Sequence, residues 1–384
     1  MTVKNEYDYL IYLIGSAIND DTPKGNNDLL YESVLNCAKK HYVSGIAYSA
    51  VQKILPPPSA DVLDKWKSAY YKALHRDVLQ DEITNKIARL FTENDIPMMT
   101  LQGTKIKRFY PSPEFREMAD LDFFIREIDV KKATDLLTEN GFTFIKEIDG
   151  ESSFDKGNLH VELHTDFFGE KNVFYNMVKA KDIISDPFSY KTDKSGDFLL
   201  YDIEDSVFYV YFYLHLLKHY QGKGVGIRRI IDIYYIEKEF ADKIDRNYTD
   251  EKIKMSGLYD DYKKLIALKD YWFNGKKSDC DTLNLAKEVY LAELHGTQQV
   301  VIARELNKIE KKSKHFVKTR YLFSRLYMNK QQIYQAYPFC EKHHYPLFLC
   351  LIHRFFCIIF SRKHRKNMKN EMKIVGKKKK QTKI

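Results

Sequence analysis

Apolar residues recur at two periods along this chain, and the change from one to the other divides it. Over residues 1–95 the spacing is helical: Leu29, Leu30, Val34 and Cys37 form one stripe, and Ile83, Ile87, Leu90 and Phe91 another. Three consecutive prolines, Pro56 to Pro58, break the region into two helical groups. A turn at Asn94 to Pro97 introduces a strand from Met98 to Leu101, and alternation of Asp120 and Asp122 with Leu121, Phe123 and Ile125 predicts a second. Next comes a helix, N-capped by Asp129, with Ala133, Leu136 and Leu137 as its buried stripe and Gly141 as its stop. A third strand runs from Phe142 to Ile148. The turn around Gly157 leads, directly or through one more short strand, into Leu159 to Phe167. From Ile203 to about Gln335 the helical period returns, rich in Tyr and Phe. The pattern predicts an α+β protein, a small mixed β-sheet flanked by N- and C-terminal helical regions, divided at 1–95, 96–195, 196–345 and 346–384.

The strand at Asp120 carries the strongest chemical signal. Residues i and i+2 of a strand share a face, so Asp120 and Asp122 project side by side while Leu121, Phe123 and Ile125 turn to the core. Adjacent carboxylates repel unless a cation lies between them. The pair therefore points to a divalent metal bound by hard oxygens, Mg²⁺ with Mn²⁺ as the variant. The plain alternative is an edge strand with two solvated aspartates. Seventeen residues before Asp120, Gly103 and Thr104 stand at a strand-to-helix turn, where backbone N–H groups can face a phosphate. Forty residues after Asp122, Glu162 sits on an alternating strand, on the same face as His160 and His164. Together these form a three-carboxylate cluster beside a phosphate cradle.

Other features narrow the class without adding a site. His215 and His219 have metal-ligand spacing on a helix, but no third ligand follows at motif spacing. Hydrogen bonding within an aromatic core is the simpler reading. The glycines at 222, 224 and 226 do not follow a strand and read as a helix–helix loop. Five cysteines without a Cys-x-x-Cys pair argue against a disulfide framework and a zinc site, and fit a reducing cytosol. With charged residues so early, no signal peptide is expected at the N-terminus. The net charge of +9 is concentrated: residues 361–384 hold eleven Lys or Arg and one acid, so the rest is close to neutral and composition supports no basic groove for DNA. Leu347 to Phe360 is too short to span a bilayer and reads as a helix docked on the helical domain, or as an interfacial one. The tail, with Lys377 to Lys380, is read as disordered and solvated, with an anionic membrane surface or nucleic acid as its candidate partner. The expected location is cytoplasmic, with peripheral membrane association as the variant.

The quoted motifs resemble the nucleotidyltransferases of the DNA polymerase β-like superfamily. The fuller resemblance is to an uncharacterised bacterial nucleotidyltransferase family. Its pattern is met by Leu101, Gln102 and Gly103, by Tyr110 and Pro111, by Arg116, by Asp120 and Asp122, and by Val161 to His164. It continues through Leu217 to His219 and Ile227 to Asp232, and Gln102 departs from the usual Lys. The resemblance implies a polymerase β-like core that transfers a nucleoside monophosphate from an NTP such as ATP to an unidentified hydroxyl acceptor, with two-metal catalysis and release of pyrophosphate. Asp120, Asp122 and Glu162 would then be catalytic and metal-binding, and Gly103 and Thr104 would hold phosphates. Arg116 would neutralise pyrophosphate, with an ion pair to a nearby carboxylate as its alternative. On the resemblance alone, His219, Arg229 and Asp232 join the nucleotide site. Gln102 feeds the competing reading, a catalytically degenerate nucleotidyltransferase-fold protein that senses nucleotide or binds a partner.

Overall fold

The apolar stripes of the N-terminal region become four helices in the computed structural model: α1 (Glu6–Asn19), α2 (Tyr31–Lys40), α3 (Ser44–Val51) and α4 (Ala60–Thr92). The structure describes residues 5–312 apart from 27, 149, 168–182, 185, 195 and 295, and beyond these 316–326, 333, 347–362, 366, 369 and 371–373. Asn5 caps α1, its side-chain oxygen accepting from the N–H groups of Tyr7 and Asp8. Leu30 falls at the N-cap of α2 and is exposed, whereas Val34 is buried as its place in the stripe requires.

The sheet has seven strands in the order β3-β4-β5-β2-β1-β7-β6. These are β1 (Met98–Thr100), β2 (Asp120–Ile125), β3 (Thr143–Ile148), β4 (Glu151–Lys156), β5 (Leu159–His164), β6 (Lys191–Lys194) and β7 (Leu200–Ile203). Strand β2 pairs parallel with β5, and β1 parallel with β7; the other pairings are antiparallel. The mixed sheet agrees with the expected α+β class but is larger than the pattern suggested. Strand β6 is polar and β7 has only four residues, so neither produces an alternation long enough to read. The backbone specifies their place instead, through the Met98 N–H donating to the Leu199 carbonyl.

One sheet face buries Leu121, Phe123, Phe154, Val161 and Leu163 against Ile87 and Phe91 of α4 and Ala133 and Leu137 of α6 (Val130–Glu139). Asp129 stands at the N-cap of α6, but its carboxylate accepts from Arg126 at 2.6 Å and makes no cap bond. Gly141 stops that helix at φ 77°, as its residue type allows. On the other face Phe124 packs against Phe167 and Phe188. Phe167 in turn stacks on Tyr211 of α7 (Asp205–Gly222), an almost wholly buried helix. A short helix α5 (Gln102–Ile106) follows β1, and the glycine loop joins α7 to α8 (Ile227–Glu239).

Residues Met1–His295 form one compact unit and Gly296–Ile384 a second. Within the second, Ile302, Leu306 and Tyr321 make a small core, and the Tyr321 hydroxyl donates to Glu371 at 3.0 Å. Leu347–Phe360 is helical, with Phe348, Phe356 and Phe360 exposed. Among the described residues no helix is long and apolar enough to cross a membrane. Cys37 and Cys280 carry free thiols. Cys350 is disulfide-bonded, which the irregular cysteine spacing did not announce. The lysine run Lys377 to Lys380 lies outside the described residues.

Candidate active site

Burial of Leu121 and Phe123 on the α4 side forces Asp120, Asp122 and Phe124 to the opposite face. Parallel pairing then sets Asp120 opposite His160, Asp122 opposite Glu162 and Phe124 opposite His164. Two aspartates, a glutamate and two histidines thus occupy one patch at the centre of the sheet. His164 Nε2 lies 3.2 Å from Asp122 Oδ1 and 3.6 Å from Glu162 Oε2. His160 Nε2 meets Glu162 Oε1 at 3.1 Å, and its Nδ1 meets Asp155 Oδ1 at 2.7 Å.

Burial alone would lower the pKa of His164, but the hydrogen bonds and charges of Asp122 and Glu162 outweigh it and raise it to about 10. At neutral pH an imidazolium therefore stands between the two carboxylates and offsets their repulsion. Glu162, opposed by burial, is held below the usual carboxylate range by that imidazolium, while the charge of Asp120 pushes it the other way. Burial likewise opposes the rise of the His160 pKa, which its bond to Asp155 drives.

Ligand atoms of Asp122, Glu162 and His164 lie within 4.8 Å of one another. Two carboxylate oxygens and one imidazole nitrogen form a donor set that fits Mg²⁺ or Mn²⁺, the nitrogen favouring Mn²⁺. A cation entering there competes with the His164 proton. Asp120 stands one place along the same face, where its charge is felt by Arg116, Arg228 and Glu162.

Three of the remaining sequence candidates, Arg116, Arg229 and Asp232, gather in a second, largely buried network. Arg116, only 2% exposed, donates through Nε and Nη2 to the two oxygens of Asp232 at 2.8 and 2.9 Å, and Asp232 is 0% exposed. This fork is the ion pair posed as the alternative for Arg116. The Tyr110 hydroxyl adds a bond to Asp232 at 2.7 Å. Burial works against the Asp232 charge, yet Arg116 and Arg229 hold its carboxyl below the usual range. Arg229 Nη1 donates to Gln102 Oε1 at 3.0 Å, and Gln102 Nε2 donates to the Tyr211 hydroxyl at 3.1 Å. The glutamine that replaces a lysine in the resembling pattern is therefore a clamp between α7 and α8. Burial raises the pKa of Tyr211, and so does the charge of Asp122, which brings this clamp up to the carboxylate face.

Gly103 is covered on the same side. A Cβ added there would meet Met118 Sδ at 2.5 Å and Arg116 Nη1 at 3.0 Å. Thr104 is buried, and its Oγ1 has no hydrogen-bond partner among the described residues. His219 is exposed and lies against the half-buried His215, with their Nε2 atoms 3.2 Å apart, and the pKa of His215 is well below the usual value, loss of solvent being the main cause. The structure thus brings Asp120, Asp122 and Glu162 onto one face, and Arg116, Arg229 and Asp232 into a network that abuts Gly103. His164, Tyr211 and Arg228 were not read as site residues. The alternation of His160, Glu162 and His164 revealed the shared face of the first, but only tertiary packing brings in the other two.

Comparison with known proteins supplies the context. A family model described as "Uncharacterised nucleotidyltransferase" matches residues 28–274, more than half of the chain. No curated protein matches. Among solved structures, the solution structure of the antibiotic-resistance factor ANT(2'')-Ia is similar at a TM-score of 0.36 and 10% identity, over 50% of this chain and 96% of that one. The family match, which spans the aspartate strand, the glutamate strand and both buried-network helices, places the chain in this family of uncharacterised nucleotidyltransferases.

Proposed function

We propose that the protein transfers a nucleoside monophosphate from an NTP to an acceptor hydroxyl and releases pyrophosphate. The observation that carries this reading is the parallel β2–β5 register, which sets Asp122 beside Glu162 with Asp120 on the same face. Asp120, Asp122 and Glu162 would hold Mg²⁺ or Mn²⁺, with His164 within reach as a fourth group. When bound, the metal supplies charge neutralisation for the phosphates and lowers the pKa of the acceptor hydroxyl. Glu162 takes the acceptor proton; its neighbours keep it ionised but make it a weak base, so the step would depend on a metal-acidified hydroxyl. Gly103 and Thr104 receive the β- and γ-phosphates. Reaching them requires Met118 to draw back from Gly103. Arg229, freed from Gln102, is the cation best placed to meet them, while Arg116 holds the Asp232 end of the network.

A second reading is favoured by that same covering of Gly103 and by the locked Gln102: a degenerate nucleotidyltransferase fold that senses nucleotide or binds a partner. Incubation of the full chain with each NTP, a cell extract and Mg²⁺ or Mn²⁺ separates the two. Metal-dependent pyrophosphate release supports transfer. Metal-dependent NTP binding without any pyrophosphate release supports the sensor and ends the transferase reading.

A further inference from the structure

A cavity of about 350 Å³ opens beside the strand that carries the aspartates. Its walls include Lys39 and Tyr42 from the end of α2, Lys72 and Arg76 from α4, and Arg116 and Met118 just ahead of β2. Its size is that of a small-molecule site. Met118 and Arg116 stand over the Gly103 position and also line the cavity. The cavity therefore adjoins the phosphate cradle through these two residues.

Its charges are unequally committed. Of the three acids on its walls only Asp77 is neutralised, by Lys107 at 2.7 Å; Glu114 accepts from the Tyr70 hydroxyl at 2.9 Å and Glu117 from Ser44 Oγ at 2.6 Å, both neutral donors. Arg76 gives one bond to the neutral Asn158 carbonyl. Lys39 and Lys72 are exposed and have no ion-pair or hydrogen-bond partner among the described residues. Lys39, Lys72 and Arg76 thus stand against Glu114 and Glu117, none of them in an ion pair among the described residues, and the balance on the wall is positive. Behind its wall Arg228, 5% exposed, donates to the Glu117 carbonyl, faces the Tyr42 ring and leaves a buried Nε without a partner. Tyr42 itself is at φ 55°, the left-handed end of α2 where a glycine would be less strained. Its side chain lines the cavity.

We propose that this cavity is the acceptor subsite and that the acceptor carries a phosphate group. The proposal rests on the nucleotidyl-transfer reading and adds the substrate class to it. Lys39, Lys72 and Arg76 bind the phosphate as point charges and donors, and the Tyr42 ring and Met118 pack on the body of the molecule. The acceptor hydroxyl is then presented toward Asp120 past the Arg116–Met118 segment.

The test uses the full chain. Inorganic phosphate is titrated by ³¹P NMR into the wild type and into the Lys39→Gln/Lys72→Gln double variant, both lysines being exposed and outside the core. Phosphate affinity should fall roughly tenfold or more in the double variant, and ATP with Mg²⁺ should not displace phosphate from the wild type. Labelled NTP with cell extract should give a labelled product that disappears when the extract is first treated with a phosphatase that is then removed. Equal phosphate affinity in the two proteins, displacement by ATP, or a labelled product insensitive to phosphatase would each overturn the proposal. Absence of any labelled product from untreated extract would sink the transfer reading, and the acceptor role with it. The phosphate titration would still decide whether the cavity is an anion site.

Discussion

The replacement Asp232→Asn tests the buried network directly. Asp232 is fully enclosed and receives three strong hydrogen bonds, two from Arg116 and one from Tyr110, with Arg229 Nη1 at 3.6 Å. Asparagine keeps the shape but accepts at only one atom, and its NH₂ group would face a guanidinium donor. The larger effect is electrostatic, because Arg116, Arg228 and Arg229 would remain near one another with their common buried counter-charge gone. Removing one partner of a buried pair costs about 3–5 kcal/mol. That is a large part of the roughly 5–15 kcal/mol that holds a typical domain. At about 2–4 °C per kcal/mol in larger domains, the melting temperature should fall by about 10 °C. The comparison is Asp202→Asn, which removes one part-exposed carboxylate from Arg108 and from the buried Lys105; since Lys105 keeps Asp205 and the Ile203 carbonyl, it should cost about 1 kcal/mol. Circular dichroism melts and urea midpoints measure both. An Asp232→Asn protein melting within about 2 °C of the wild type would refute the claim that this carboxylate neutralises the arginines.

Three further outcomes follow from the geometry. Asp122→Asn should lower metal-dependent pyrophosphate release roughly a hundredfold or more, and in EDTA it should also cost about 1–3 kcal/mol of stability, because it removes a charge-assisted bond to His164; residual activity near wild type would place the metal elsewhere. His41, fully buried with its Nδ1 accepting from the Ile227 N–H, is pushed down to about 4 by burial against a weaker pull from the Tyr290 backbone. Its folded pKa lies below the unfolded one, so its contribution is complete above pH 6.5 and is lost as pH falls toward 4, up to about 3 kcal/mol; urea unfolding should show this loss in the wild type and a flatter profile in His41→Gln. Gly226→Ala would drive a Cβ to 2.0 Å from the Glu293 carbonyl oxygen and 2.9 Å from His41 Nδ1, and since backbone cannot give way cheaply the loss should exceed about 3 kcal/mol. Gly257→Ala, whose Cβ meets nothing but whose φ is 73°, should lose only about 1 kcal/mol in the same melts.

The fold was legible where a period of two or 3.6 persisted for a full element. Leu121, Phe123 and Ile125 announced β2, Ala133 and Leu137 the helix that covers it, and Gly141 its end, because each position obeys a local rule that tertiary packing reinforces. Strand β7 obeyed no such rule. Its four residues take their conformation from pairing with Met98 and Met99, a partner about a hundred residues away, which no window of sequence contains. Asp129 shows the opposite failure: the local rule named a cap, and a competing local partner, Arg126, took the carboxylate.

The same division runs through the candidate site. Alternation alone places Asp120, Asp122, Glu162 and His164 by face, since a strand's side chains have only two directions to take. Whether β5 lies beside β2 or elsewhere in the sheet is a matter of topology. The parallel register that sets Asp122 against Glu162 is therefore visible only in the fold. For Arg116 the spacing could not choose between a ligand and a structural partner, because its partner Asp232 sits on a helix more than a hundred residues later. Burial decides its resting state. A guanidinium 2% exposed and forked onto a carboxylate that is 0% exposed has little reason to leave it for a solvated phosphate. Gln102 then becomes the informative departure. A lysine there would add a fourth positive charge to a cluster holding one buried carboxylate, whereas the neutral amide accepts from Arg229 and donates to Tyr211 without adding any. The substitution keeps the network solvable, and it leaves Arg229 held by one hydrogen bond to a neutral amide and a 3.6 Å ion pair to Asp232, a looser grip than the fork that fixes Arg116.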